Sequence, residues 1–257
     1  MAYDFYYDVR ALFARAMKKF LRTPISMVFS LLQPIIFLVL LTQVFNKFGS
    51  LPGFPAGGYL EFAVAGILFF NLLNSTMQAG ISMVDDINSG YLSKILVTPV
   101  SRSAILLGRL LSDAVRMLIQ SAIILVIAYL LGATFATGVF GILLVFLTVV
   151  FFGVAWSGIY LAVGLATKSS EATTTIGVVM LFPLLFISIA LVPFKFLPRW
   201  AQTVSSFNPV SYGVNVIRSL MSTGFNWGIV LPAYAIIALV ATLTWGATLY
   251  QFRKVVK

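Results

Sequence analysis

The sequence predicts an all-α membrane protein with six transmembrane helices, an N-terminal amphipathic interfacial helix, and two short re-entrant helices before the last span. Of its 257 residues, 60% are hydrophobic and only 9% are charged, and the mean hydropathy is +1.03. Soluble domains carry about 25% charged residues, so this chain lacks the side chains that would cover a water-exposed surface. Uncharged stretches of at least about 18 residues, long enough to cross a bilayer, recur along it. We therefore expect residues 1–257 to form one transmembrane domain.

Composition also excludes several classes of function. Cysteine and histidine are both absent, which removes disulfides, thiolate or imidazole metal sites, and Cys or Ser–His nucleophiles. The net charge of +10 is not arranged as a basic face interleaved with aromatic residues, as a nucleic-acid groove requires. No G-x-x-x-x-G-K-[ST] loop is present, so the chain is not expected to hydrolyse ATP.

Residues 1–22 predict an amphipathic helix that is too polar to span. At 100° per residue, one face is apolar and the opposite face is charged. A basic face and a Phe/Leu face are typical of a helix at the cytoplasmic interface. This helix is either a passive anchor or one that also contacts a cytoplasmic partner. The apolar face holds Phe5, Val9, Leu12, Phe13, Ala16 and Phe20, and the polar face holds Asp8, Arg15, Lys18, Lys19 and Arg22.

Six spanning helices are predicted near residues 25–45, 60–84, 112–131, 139–166, 172–192 and 227–250. The uncharged stretch Met117–Thr167 is more than twice the length that a ~30 Å hydrocarbon core requires, so it must turn back once. The segment from Gly132 to Gly138 is the obvious turn.

The loop 85–101 predicts a docking element outside the membrane. It carries a short, mostly apolar helical piece, Tyr91–Val97, between acidic residues and a proline, and exposed apolar surface of this kind suits a protein contact. Ser101 is placed to cap the next helix, on which Arg102, Arg109, Asp113 and Arg116 form one polar stripe. A solvated helix start with a local Arg109–Asp113 pair is the simplest interpretation of the stripe. The candidate partner-coupling residues are Asp85, Asp86, Gly90, Tyr91, Leu92, Ile95, Leu96, Pro99 and Arg102.

The outer segment 194–225 predicts two short helices before the last span. Pro198 and Pro209 suit first helical turns, Asn208 suits an N-cap, and Gly224 suits the residue after a C-terminus. Val210, Val214, Ile217 and Met221 share one face of the second helix, which is expected to lie partly in the membrane.

No charged residue lies well inside a predicted span, and Glu61, at the outer end of the second, is the nearest. Ion-coupled carriers and voltage sensors usually need such residues. An apolar substrate path is expected instead, although ordinary helix packing would also explain each of its members. The candidate path residues are Phe69, Phe70, Asn71, Asn74, Phe182, Phe186 and Ser188.

In this order, the segments resemble the membrane subunit of ABC type-2 transporters, the drug-exporter or daunorubicin-resistance permease family. The resemblance covers nearly the whole chain, although acidic residues stand slightly earlier here, at Asp85 and Asp86, than the glutamate that the family often has before the loop glycine. The matching inner pieces are Gly90-Tyr91-Leu92, Thr98-Pro99-Val100-Ser101-Arg102 and Gly108-Arg109, and the outer pieces are Leu197-Pro198-Arg199-Trp200, Asn208-Pro209-Val210-Ser211 and Ile217-Arg218.

The resemblance implies a dimeric permease, each copy bound by a separate ATPase subunit that holds ATP and magnesium, with no cofactor in this chain. It maps the coupling helix to about Gly90–Val97 and the re-entrant pair to about Leu197–Phe207 and Pro209–Ser222. The expected function is export of a drug, lipid or other amphipathic substrate across the plasma membrane. The alternatives are an exporter of polysaccharide or lipid-linked glycan, a secondary transporter or channel, and a structural scaffold.

Lysine and arginine placement gives the first testable prediction, because positive residues are retained on the cytoplasmic side. With both termini inside, 13 of the 17 basic residues are cytoplasmic, and Lys47, Lys195, Arg199 and Arg218 are outside. The chain has no native cysteine, so every labelled thiol is the introduced one. Single cysteines at Ser103 and Lys257 should therefore react with an impermeant thiol reagent only from inside, and those at Ser50 and Gln202 only from outside. Outside labelling at position 257 would contradict six spans.

Overall fold

A computed structural model describes residues 2–55 and 57–255, and within these ranges it is helical with no β-strand. Lys257, a labelling site of the topology prediction, lies outside the described residues. The helices are α1 Ala2–Leu21, α2 Pro24–Phe45, α3 Gly58–Asn88, α4 Tyr91–Leu96, α5 Arg102–Leu130, α6 Gly138–Thr167, α7 Ser170–Phe186, α8 Arg199–Phe207, α9 Pro209–Arg218 and α10 Trp227–Val255.

Within the described ranges, five helices are long and apolar enough to cross a membrane: α2, α3, α5, α6 and α10. The predicted fifth span over 172–192 is helical only as far as Phe186, because α7 has 17 residues and contains Pro183. Turns occupy the chain from there to Pro193. The predicted third span begins earlier than residue 112, at Arg102, because the Ser101 side chain accepts a hydrogen bond from the Ala104 N–H and caps α5. The predicted cap is confirmed, and so is the turn from Gly132 to Gly138.

Helix α3 is the centre of the fold. Every residue from Glu61 to Leu73 is buried, and α2, α5, α6, α7 and α9 all pack against this helix. Small residues permit the closest approaches. A Cβ at Gly66 or Gly80 would collide with the carbonyl oxygen of Ala190 or Tyr160, respectively. Close packing of this kind, rather than hydrophobicity, drives helix association where lipid is the solvent.

Helices α8 and α9 are the two predicted short helices, and α9 lies along the first half of α3. Asn208 caps α9 by accepting from the Val210 N–H, as predicted, while its Nδ2 donates to the Leu184 carbonyl at 2.7 Å. Gly213 packs directly on the Phe69 ring, and Arg218 reaches the Phe62 carbonyl. A wide helical turn, Ser219–Thr223, follows, and Gly224 ends it with φ +99°.

At the opposite end of α3, the predicted amphipathic helix α1 is confirmed and lies against the first turns of α5. Val9, Leu12 and Phe13 are half-buried, whereas Arg10 and Lys18 are exposed. The contact is close at Gly108, where a Cβ would lie 2.8 Å from the Leu12 Cβ. The apolar face predicted for residues 1–22 therefore covers α5.

Gly80→Ala tests the packing at the centre of the fold. The new Cβ would lie 2.5 Å from the Tyr160 backbone oxygen, and backbone cannot move aside as a flexible side chain can. We expect a loss of about 1–3 kcal/mol in stability, as overpacking typically costs, measured as a lower melting temperature of the purified protein in detergent.

Gly246→Ala in α10 is the matched control, because nothing lies within 4 Å of a Cβ there. Its melting temperature should equal or slightly exceed that of the parent. Equal melting temperatures for both variants would contradict the close α3–α6 contact.

Candidate functional site

The loop after α3 folds into the short helix α4, as the sequence predicts. Gly90 begins it with φ +69°, a left-handed conformation that glycine adopts without strain. The Leu92 side chain is buried with Met83, Ile105 and Leu165, and Ile95 and Leu96 pack partly on the same cluster. The expectation that Leu92 is exposed for docking is therefore wrong: this side chain fastens α4 to α3, α5 and α6.

Opposite these contacts, α4 and the residues after it present an outward surface. Ser93, Lys94, Val97, Thr98 and Pro99 are exposed, with Val97 86% accessible. We call these five residues the α4 surface. Arg102 is exposed beside it.

Asp86, near the end of α3, forms ion pairs with both α1 and α5. Its carboxylate lies 2.9 Å from the Arg109 Nη1, 3.8 Å from the Arg15 Nη2, and 4.0 Å from the Lys19 Nζ. The Arg15 guanidinium also covers the Tyr91 ring at 3.1 Å from the centroid. Burial raises the pKa of the Tyr91 hydroxyl, and the charge of Arg15 opposes that shift. The adjacent Asp85 points elsewhere, and it accepts a hydrogen bond from the Ser170 hydroxyl at 3.1 Å.

Apart from the exposed Arg102, the polar stripe of α5 faces α3 rather than solvent. Arg109 donates to the Ala79 carbonyl at 3.0 Å, and Arg116 donates to the Ser75 carbonyl at 2.8 Å. The predicted Arg109–Asp113 pair is wrong, because Asp113 pairs with Arg116 at 3.0 Å and Arg109 pairs with Asp86. The arginine side chain is long enough to reach a neighbouring helix, and its several N–H donors can bind two acceptors at once. Arg109 therefore binds Asp86 and the Ala79 carbonyl of α3 instead of Asp113 on its own helix.

The stripe continues one turn further to Gln120, which sequence reasoning missed. The Gln120 Oε1 accepts from the Ser75 hydroxyl and, at 3.5 Å, from the Asn71 amide, while its Nε2 donates to the Ser30 Oγ at 3.1 Å. A signal for it was available, since Gln120 is four residues after Arg116, and Asn71, Ser75, Gln78 and Ser82 recur at helical spacing on α3. We call Arg109, Asp113, Arg116 and Gln120 the α5 ladder.

A polar cavity of about 550 Å³ opens beside the α5 ladder, between α1, α2, α3 and α5. Asn71, Asn74 and Phe70 line it, and so do Arg15, Lys19 and Asp86. The remaining lining is mixed: it includes the polar residues Gln78, Ser82, Arg109, Asp113, Arg116 and Gln120 and the hydrophobic residues Leu12, Ala16, Met17, Phe20, Pro34, Met83, Leu92 and Ile105.

A second, apolar groove of about 650 Å³ lies between α2, α3 and α7 at the other end of the molecule. Phe182 and Phe186 stack with centroids 6.0 Å apart on one wall, and Phe37 packs on Phe70 at 5.6 Å on the other. Among the described residues, its lining consists of hydrophobic side chains: Phe37, Leu41, Phe45, Phe48, Leu51, Phe54, Tyr59, Ile67, Phe70, Phe182, Leu185, Phe186, Leu191, Val192, Pro193 and Phe196.

The candidate path residues therefore divide into three groups. Phe70, Phe182 and Phe186 meet at the apolar groove, while Phe70, Asn71 and Asn74 line the polar cavity. Two candidates line neither. Phe69 is fully buried edge-on against Phe152 at 4.9 Å, and Ser188 caps a turn by accepting from the Ala190 N–H at 3.0 Å. For these two, the alternative of ordinary helix packing fits the contacts.

Two charged side chains, Glu61, which is buried, and Arg218, which is partly buried, lie at the end of the molecule where α9 packs. Glu61 accepts from the Thr134 N–H at 3.2 Å and from its hydroxyl at 3.1 Å. Arg218 lies 3.6 Å above the Phe62 ring and donates to the carbonyls of Phe62 and Ala190. The sequence places Arg218 in a segment outside the membrane, and in the structure its side chain packs, partly buried, against α3.

Comparison with known proteins places these features in a family. The ABC-2 type transporter family matches residues 7–222. The chain is 31% identical to the daunorubicin resistance ABC transporter permease protein DrrB1 of Streptomyces coeruleorubidus over 90% of its own length and 82% of that protein. It is 31% identical to the putative transport permease ycf38 of Cyanophora paradoxa over 84% of this chain and 76% of that one. It is 25% identical to the probable doxorubicin resistance permease DrrC of Mycobacterium tuberculosis over 82% and 75%.

Proposed function

This chain belongs to the ABC-2 type transporter family of permeases, and from that premise we propose that it is the membrane subunit of an ATP-driven exporter of a hydrophobic or amphipathic substrate. Relatives named as daunorubicin and doxorubicin resistance permeases support a drug as the substrate, and the apolar groove supports a substrate with hydrophobic surface. Hydrolysis takes place on a separate ATPase subunit, which binds ATP and magnesium, so this chain is a transport subunit and not an enzyme.

The observation that carries the proposal is the construction of the α4 surface. The short helix α4 is anchored by the buried Leu92, and the helix and the residues after it present exposed Lys94, Val97 and Pro99. An exposed apolar side chain on an anchored element suits a protein contact. Tyr91 links α4 to α1, because the Arg15 guanidinium covers its ring. The α4 surface is therefore where the ATPase subunit docks, and the other coupling candidates, among them Asp85, Gly90 and Tyr91, shape and hold it.

Six crossings and a cytoplasmic location of both termini remain our proposal for the topology. The sixth crossing requires α7 and the turns after it, up to Pro193, to traverse the bilayer. Helix α9, whose Gly213 packs against Phe69, would enter the membrane from the outer side without crossing it. On this view, α8 and α9 form a re-entrant pair. The protein then lies in the plasma membrane with the α4 surface inside.

The apolar groove suits both a substrate path and contact with a second permease copy. Its walls, Phe37 of α2 and Phe182 and Phe186 of α7, are between 41% and 59% exposed. Exposed aromatic side chains on two helices bury apolar surface when another permease packs there. We propose that the substrate passes between the two copies along this groove.

Val97→Asp tests docking of the ATPase subunit. Because the side chain is exposed, the variant should fold, while the charge must be desolvated in the contact. We expect binding of the ATPase subunit to weaken by about tenfold or more, equal to about 1.4 kcal/mol, in a pull-down titration or by interferometry.

The controls separate docking from folding. Val139→Asp puts the same charge on another exposed valine, 73% accessible, at the other end of the molecule, and binding should be unchanged. Leu92→Asp should instead lower the melting temperature, because that side chain is buried. Normal ATPase association and export with both Val97→Asp and Lys94→Glu would remove α4 from the interface.

Phe186→Ala tests the path. The side chain is 59% exposed, so truncation removes groove surface at little cost to folding. Substrate-stimulated ATP hydrolysis and export should change, while basal hydrolysis and assembly with the ATPase stay near normal. Phe70→Leu is the second variant, chosen because Phe70→Ala would leave a cavity in the core.

Phe140→Ala is the matched control, since Phe140 is 76% exposed on α6 and does not line the groove. Loss of assembly together with activity in the groove variants would indicate packing alone. Unchanged transport of every exported compound would place the path elsewhere.

A further inference from the structure

The polar cavity and the apolar groove meet at a single side chain. Phe70 lines both, and it packs on Phe37 of α2, whose ring also lines the groove. The cavity lies toward α1 and α4, and the groove lies toward the turns around Phe48 and Phe196. An elongated molecule placed along α2 and α3 would therefore meet polar side chains at one end and hydrophobic ones at the other.

The charged groups around the polar cavity have a positive surplus. Four cations and two carboxylates line it: Arg15, Lys19, Arg109, Arg116, Asp86 and Asp113. Both carboxylates are occupied, Asp86 by three cations and Asp113 by Arg116. A cationic ligand would have to displace an arginine, whereas an anionic ligand would not.

The cations of the lining include a kind of group that suits an anion. The side chains of Arg109 and Arg116 both line the cavity, beside those of Arg15 and Lys19. Guanidinium groups bind phosphate through several N–H donors at once. The Asn74 and Gln78 side chains add neutral amide groups to the lining.

We propose that the polar cavity binds the phosphate-bearing head of an amphipathic molecule, whose apolar tail passes Phe37 and Phe70 into the apolar groove. This inference rests on the proposed function and gives its substrate, or a lipid that accompanies it, a defined chemistry: an acyl chain on a phosphate monoester or diester. The cations of Arg15 and Lys19 attract the anion, and the α5 ladder receives it.

Photolabelling of the full-length permease in nanodiscs tests this proposal. The probe is a phosphatidic acid with a diazirine close to the head group, and the comparison probe is the diacylglycerol with the same chains and diazirine. We expect the phosphatidic acid, and not the diacylglycerol, to label peptides from residues 71–86 and 109–120. Equal labelling by both probes would overturn the phosphate assignment. Competition by excess inorganic phosphate would assign the site to a free anion and overturn the amphipathic ligand.

Matched variants locate the site. Lys19 lines the cavity and Lys18 does not, yet both are exposed on α1, so Lys19→Gln should reduce labelling and Lys18→Gln should leave it unchanged. Asp113→Asn combined with Arg116→Gln removes both members of one ion pair and leaves no unpaired charge. We expect about a tenfold loss of affinity for the phosphatidic acid, in keeping with one charged hydrogen bond.

Gln78→Phe would fill the cavity without touching an ion pair and should also abolish labelling. Unchanged labelling in all three cavity variants would overturn the site. ATPase binding is measured on the same preparations. If the permease binds its ATPase subunit but shows no phosphate-dependent labelling, this inference is refuted and the proposed function is not. If the unmodified permease does not bind an ATPase subunit, the proposed function is refuted.

Discussion

The structure depends on hydrogen bonds to the polar groups around α3, a helix that other helices enclose over much of its length. Helix α3 is enclosed by α2, α5, α6, α7 and α9, and α5 sends Arg109, Arg116 and Gln120 toward it. Unpaired polar groups are costly away from water. The α5 ladder meets this requirement with acceptors on α3, and in doing so it fixes how α5 lies against α3.

The same requirement links the interior to the surface. Asp86 binds Arg109, the first member of the ladder, and also faces the exposed cations of α1. Exposed ion pairs contribute at most about 1 kcal/mol, whereas breaking one partner of a buried pair costs several times more. The ion pairs of Arg15 and Lys19 therefore add little to the attachment of α1, which rests mainly on its apolar face against α5 around Gly108.

Local features were predictable from the sequence because they depend on neighbours in the chain. The amphipathic α1, the caps at Ser101 and Asn208, and the turn between Gly132 and Gly138 are examples. Features set by distant partners were not predictable. Leu92 is buried because Leu165 and Ile105 lie behind it, and Arg109 reaches Asp86 on another helix. Residue type selected Phe69 and Ser188 as path candidates along with Phe70, Phe182 and Phe186. Only the packing shows that the last three line the groove and the first two do not.

Charge placement explains why the two cavities differ. The described carboxylates and guanidinium groups of α3 and α5 lie toward the α4 end, except Glu61, which the Thr134 backbone and hydroxyl already bind. Arg218, at the other end, is covered by Phe62 and two carbonyls and does not line the groove. The two ends therefore differ in the charges next to α3: packed structure encloses Glu61 and Arg218 at the α9 end, whereas Arg109 and Arg116 line a cavity at the α4 end. A molecule with one polar and one apolar end would accordingly have a single favourable direction along α2 and α3, with its head toward the side where an ATPase subunit would dock.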